Sequence, residues 1–135
     1  MSQTQTPTRI TKVATVLVPV ADQDRAIDFY VNTLGFEKRT DVPYGNGDRW
    51  VEVAPAGAVT TIALVPPMQG APERTGPAPT TASFYTDDVD ADYEHLKSQG
   101  VDVDAQVMRM GAPVPPMFFF RDVDGNSLLI VGGMD

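Results

Sequence analysis

The chain has no cysteine, a single histidine and a single tryptophan among its 135 residues. Without thiols it can form no disulfide, no thiolate metal site and no cysteine nucleophile. Basic residues are scarce too: 10 Lys and Arg stand against 18 Asp and Glu, for a net charge of −8. That balance repels phosphate backbones, arguing against a nucleic-acid partner, and draws in cationic small molecules. Most of these carboxylates are expected simply to keep the surface soluble. No apolar run approaches the roughly 20 residues needed to span a bilayer. The opening "MSQTQTPTRITK" is polar and lacks the hydrophobic segment of a signal peptide. The expectation is a cytoplasmic protein with no membrane partner and a flexible N-terminus over residues 1–9.

What is present is a repeat. In "TVLVPVADQDRAIDFYVNTLGF", Val16, Val18 and Val20 alternate onto one face of a strand. Asp22 then caps a helix with Ala26, Phe29, Tyr30 and Leu34 on its apolar face, and Gly35 closes it. "TASFYTDDVDADYEHLKSQGV" repeats the plan with a strand from Thr81, a cap at Asp88, an apolar face of Val89, Tyr93 and Leu96, and a stop at Gly100. The copies are related by a shift of 66 residues, which maps Thr15 to Thr81 and Asp22 to Asp88.

Three strand-like runs follow each helix: Phe36–Val42, Arg49–Ala54 and Thr60–Val65 in the first copy, then Val103–Met110, Met117–Arg121 and Ser127–Val131. An Asp124-Gly125-Asn126 turn joins the last two runs. Between the copies lies "PPMQGAPERTGPAPT", residues 66–80, with five prolines in fifteen residues, a linker composition. The fold class is therefore α+β. Two tandem βαβββ modules, 10–65 and 81–135, each place a helix on one face of a sheet and leave the other face free to be concave.

The spacing "VPVADQDRAIDFYVNTLGFE", with "FYTDDVDA" and "FFRDVDGNSLL", resembles the vicinal oxygen chelate superfamily. That group includes glyoxalase I, extradiol dioxygenases, fosfomycin-resistance transferases and bleomycin-resistance proteins. The likeness runs from about Ile10 to Val131, with Val123 standing where the turn motif usually has proline. In catalytic members a divalent metal in the cup acts as a Lewis acid, held by side chains from the first and last strands of each module. The resemblance maps those four ligand positions onto Thr15, Ala63, Thr81 and Leu129. Two hydroxyls, a methyl and an isobutyl group cannot satisfy zinc, iron or manganese, so no metal and no other cofactor is expected.

Strand alternation sets Thr15 and Leu17 opposite Val16 and Val18, and Trp50 and Glu52 opposite Val51 and Val53. The resemblance to antibiotic-handling members points Trp50 and Phe119 into the cup beside Ala63, Thr81, Ser83, Tyr85 and Leu129. Met108, Met110 and Met117 supply adaptable walls. Alternatively, the aromatic residues fill a dimer interface. Glu52 in an apolar cup calls for a cationic partner, with Arg109 or Arg121 as candidates, or else for a cationic ligand.

Other chemistry has little support in the sequence. His95 falls out of phase with the apolar stripe and is expected to be exposed and idle. "DVDGNS" fails as a calcium loop, because Ser127 and Gly133 stand where glycine and a bidentate glutamate are required. No Ser or Thr has a general base fixed by spacing. The expectation is a metal-independent homodimer that sequesters a small hydrophobic, aromatic or cationic molecule, with no catalytic residue. The alternatives are a lyase or dioxygenase with a degenerate or displaced metal site, and a non-catalytic interaction domain. Whether the modules pair within one chain or between two stays open.

Overall fold

A computed structural model of the chain describes residues 8–45, 47–67 and 80–133. The first module runs from β1 (Thr15–Pro19) into α1 (Gln23–Ile27), which continues unbroken as a π-helical segment, Asp28–Thr33. Strands β2 (Glu37–Gly45), β3 (Asp48–Ala54) and β4 (Thr61–Val65) complete it. The second module comprises β5 (Thr80–Thr86), α2 (Val89–Ser98), β6 (Asp102–Val103), β7 (Met117–Arg121) and β8 (Ser127–Gly132). Two four-stranded sheets result, ordered β1-β4-β3-β2 and β5-β8-β7-β6. In each, the first and last strands of the module pair in parallel and the rest are antiparallel. This is the expected α+β architecture. Most of the expected flexible N-terminus and of the 66–80 linker lies outside the described residues.

The caps form as the sequence implies. The Asp22 carboxylate accepts the N–H of Arg25 at 3.1 Å, and that of Asp88 accepts Ala91 N–H at 3.0 Å. Gly100 ends α2 at φ +78°, a left-handed conformation that lets Val101 N–H return to the Leu96 carbonyl at 3.0 Å. The first helix differs from the single α-helix expected. Leu34 N–H reaches back five residues to the Phe29 carbonyl at 3.0 Å, widening the turn. The adjacent side chains Phe29 and Tyr30 are both buried there.

One core spans both modules. Phe29 stacks on Phe120 with ring centroids 6.5 Å apart, and Phe36 meets Phe84 edge-on at 5.3 Å. The turn after β7 adds a polar joint. Tyr30 donates its phenol hydrogen to Asp122 Oδ2 at 2.8 Å. Asn126 donates to the same oxygen at 3.0 Å and to the Pro19 carbonyl at 2.9 Å. The other Asp122 oxygen accepts the N–H groups of Asp124 and Asn126, each at 2.9 Å. Ala21 N–H in turn donates to Asp124 Oδ1 at 2.9 Å. Asp122 and Asn126 are buried, and burial, reinforced by the Asp122 charge, holds the Tyr30 phenol protonated far above the ordinary tyrosine range.

The strand expected over Val103–Met110 is only partly present. Phe119 N–H donates to the Asp104 carboxylate at 3.0 Å, and the Asp104 carbonyl turns aside to accept the Tyr93 phenol at 2.6 Å. With its side chain in the ladder, Asp104 diverts the backbone. Pairing resumes only at the Met108–Met117 bridge.

Asp122→Ala strands several buried donors and is expected to lower unfolding free energy by about 2–4 kcal/mol in urea titrations, against about 1 kcal/mol for Tyr30→Phe. The native pKa of Tyr30 lies above its unfolded value of 10.0, so protein carrying Tyr30 loses stability as pH rises beyond that value. Tyr30→Phe should remove that alkaline slope; an unchanged slope would contradict the buried, protonated phenol.

Candidate functional site

Alternation divides each sheet into a helix-covered face and an outer face. Val18, Val51, Val53, Ile62 and Leu64 enter the core from the first sheet, as do Phe118, Phe120, Leu128 and Ile130 from the second. Their neighbours along each strand therefore carry the outer faces. Thr15, Leu17, Trp50, Glu52 and Ala63 lie on the first outer face, and Thr81, Ser83, Tyr85, Met117, Phe119 and Leu129 on the second. Leu17, Ala63 and Glu52 form one row across β1, β4 and β3. Ser83, Leu129 and Phe119 form the corresponding row across β5, β8 and β7. One module thus presents a carboxylate where the other presents an aromatic ring.

Ala63 is fully buried between Leu17 and Glu52, its cross-strand neighbours, while Leu17 is 44% exposed and Tyr85 71% exposed. Met108 bridges to Met117, and Met110 lies beyond it, largely exposed.

Glu52 has a different set of partners from those expected. The Trp50 indole donates to its Oε2 at 2.6 Å, and the Thr61 hydroxyl to its Oε1 at 2.7 Å. Thr15 Oγ1 stands 2.8 Å from Thr61 Oγ1. Neither arginine reaches it: Arg109 pairs with Asp90, and Arg121 with Asp102 and Asp104. Both guanidiniums are already engaged by aspartates. Arg49 is likewise held by Asp24 and Asp41, Lys38 by Asp41 and Arg39 by Glu37. The Arg49 hydrogen bonds hold the Asp41 carboxyl below the usual carboxylate range, and Arg121 does the same for Asp102. Among the described residues Glu52 enters no ion pair, so its charge is met by two neutral donors.

Thr61 is the residue that sequence reasoning missed. Its signal was present, since β4 pairs in register with β1 and sets Thr61 beside Thr15 on the outer face.

The four family ligand positions can now be tested for metal. Thr15 donates its hydroxyl to the Thr61 carbonyl at 3.1 Å, and Thr81 donates to the Ser127 carbonyl at 3.1 Å. The same bond recurs 66 residues on and ties both hydroxyls to the parallel neighbouring strand. Ala63 and Leu129 offer no donor atom. These residues do not fit a divalent cation, and among the described residues no three His, Asp or Glu side chains cluster as a metal centre requires.

Two sheets of this topology, with equivalent hydroxyl locks, point to one family, and comparison with known proteins agrees. The family model of the glyoxalase/bleomycin resistance protein/dioxygenase superfamily matches residues 12–130. The chain belongs to that superfamily. It is 33% identical over 125 residues to the uncharacterized protein YetH of Bacillus subtilis, covering 90% of this chain and 98% of that one. Among solved structures it is similar to TnmS3, an antibiotic binding protein from Streptomyces sp. CB03234. The identity is 37%, the TM-score 0.77, and the match covers 94% of this chain and 99% of that one. A superfamily member from Sphaerobacter thermophilus is 35% identical with a TM-score of 0.80, over 92% of this chain and 98% of that one. As a superfamily member with unsuitable side chains at all four ligand positions, the protein should carry far less than one equivalent of zinc, iron, nickel or manganese after dialysis. Elemental analysis checks this, and near-stoichiometric metal would contradict it.

Proposed function

We propose that this superfamily member binds and sequesters a small aromatic or cationic molecule, of the kind antibiotic binding proteins hold, without a metal. The observation that carries the reading is Glu52, a carboxylate fixed by the Trp50 indole and the Thr61 hydroxyl with no cation of the described chain paired to it. A carboxylate held by neutral donors keeps its full charge, and the adjacent indole offers a flat face. An aromatic or ammonium group placed there gains roughly 0.5–2 kcal/mol from stacking or cation–π attraction. Phe119 and Leu129 supply apolar surface on the second outer face. The similarity to TnmS3 supports a small molecule of antibiotic type as the ligand class.

The same reading includes a homodimer. Leu17, Val42 and Tyr85 are exposed, and Val42 lies beside Trp50 across β2 and β3. A second copy covering the outer faces would bury these side chains and enclose the ligand. Light scattering after size exclusion should give about twice 14.6 kDa; a monomer throughout the micromolar range would contradict it.

Binding has its own test. A screen of aromatic and cationic natural products should yield saturable quenching of Trp50 emission. By calorimetry, Glu52→Gln should weaken cationic ligands about five- to ten-fold and neutral ones hardly at all, with the difference shrinking as salt rises. Trp50→Phe keeps a ring but loses the donor that orients Glu52. It should therefore retain neutral aromatic ligands better than Trp50→Ala does, yet lose cationic ones several-fold. Absence of binding across the screen, or parental affinity in Trp50→Ala, would overturn the reading.

A further inference from the structure

Between the end of the first helix, β5 and α2 lies a cavity of about 330 Å³, which has Tyr85 of the second outer face in its wall but neither Trp50, Glu52 nor any of the four family ligand positions. Its walls include Asn32 and Leu34 at the end of the first helix, Phe36, Phe84 of β5, and Asp92 and His95 of α2. We propose that this cavity is a second small-molecule site, for a compound with a compact aromatic body and a protonated amine. The proposal does not rest on the outer-face reading.

Shape and surface set the body of the ligand. Leu34, Phe36 and Phe84 pack against the core yet stay only partly buried, so they present apolar surface to the cavity. Phe36 and Phe84 meet edge-on at 5.3 Å, leaving ring surface for an aromatic guest. The volume lies at the lower end of the roughly 300–1,000 Å³ common for ligand pockets, which suits a bicyclic molecule.

Charge sets the head group. Asp92 is half-buried at the rim and enters none of the ion pairs among the described residues. Among the described residues no Lys or Arg lines the cavity. The first helix ends at this wall, and its last carbonyls form the negative end of the helix dipole. That helix end is π-helical, a widened geometry found disproportionately at functional sites. His95, also in the cavity wall, lies three residues along α2 from Asp92, on the same helix face. An apolar floor, an unpaired carboxylate and a helix C-terminus together select an aromatic ammonium ion over an anion.

The test uses 1-naphthylmethylammonium and its neutral counterpart, 1-naphthylmethanol, titrated into the ¹⁵N-labelled full chain. The ammonium should shift the amides of Leu34, Gly35, Thr86 and His95 saturably. Asp92→Asn should weaken it about five-fold while leaving the alcohol unchanged, and the amide spectrum itself shows whether the variant is folded. In the parent protein, added salt should weaken the ammonium and not the alcohol, an independent check on the same charge. Trp50 emission in the same titration reports the outer face separately. Shifts confined to the surroundings of Trp50 and Glu52, no saturable shift at millimolar probe, or equal ammonium affinity in folded Asp92→Asn would overturn the proposal.

Discussion

The buried carboxylate of Asp122 is the constraint on which the rest of the structure depends. It sits in the turn between the last two strands of the second module, yet its most distant hydrogen bond goes to Tyr30 in the first. Asn126 extends the joint to the Pro19 carbonyl at the end of β1. A buried carboxylate is costly unless its oxygens are satisfied, and here the donors come from both modules. Separating the modules would strip the Tyr30 hydrogen bond from that carboxylate and open the Phe29–Phe120 stack. The two small units therefore behave as one cooperative core, and both outer faces keep a defined position relative to it.

Fixed in this way, the outer faces share one bond: Thr15 and Thr81 each turn a hydroxyl to the carbonyl of the adjoining parallel strand. Those hydroxyls serve the sheet. The position left for an anion is Glu52, one strand further over, and it is oriented by an indole and a second hydroxyl in place of a cation. Among the described residues no cation pairs with it.

Arg49, Arg109 and Arg121 are each engaged by aspartates on neighbouring elements. Glu52 on the outer face and Asp92 on the helix-covered side both remain outside those pairs. The two positions share a logic: a carboxylate beside aromatic surface in a protein of net charge −8.

Much of the architecture was legible from local signals. Asp22 and Asp88 were readable as caps, Gly100 as a stop, and the valine alternation of β1 and β3 as faces, because caps and pleats depend on residues a few positions apart. The mapping of ligand positions onto Thr15, Ala63, Thr81 and Leu129 is what the resemblance to the superfamily implies. Four features were not legible. The π-helical turn depends on burying Phe29 and Tyr30 together, and the early end of β6 on where the Asp104 carboxylate finds donors. The partners of Glu52 depend on the register of β1, β3 and β4, and the cavity beside His95 on how the end of the first helix meets β5 and α2. The sequence by itself determined the repeat and its faces. Only the tertiary structure decided which polar groups meet, because those contacts join residues as far as 107 positions apart, and local sequence does not encode such distances.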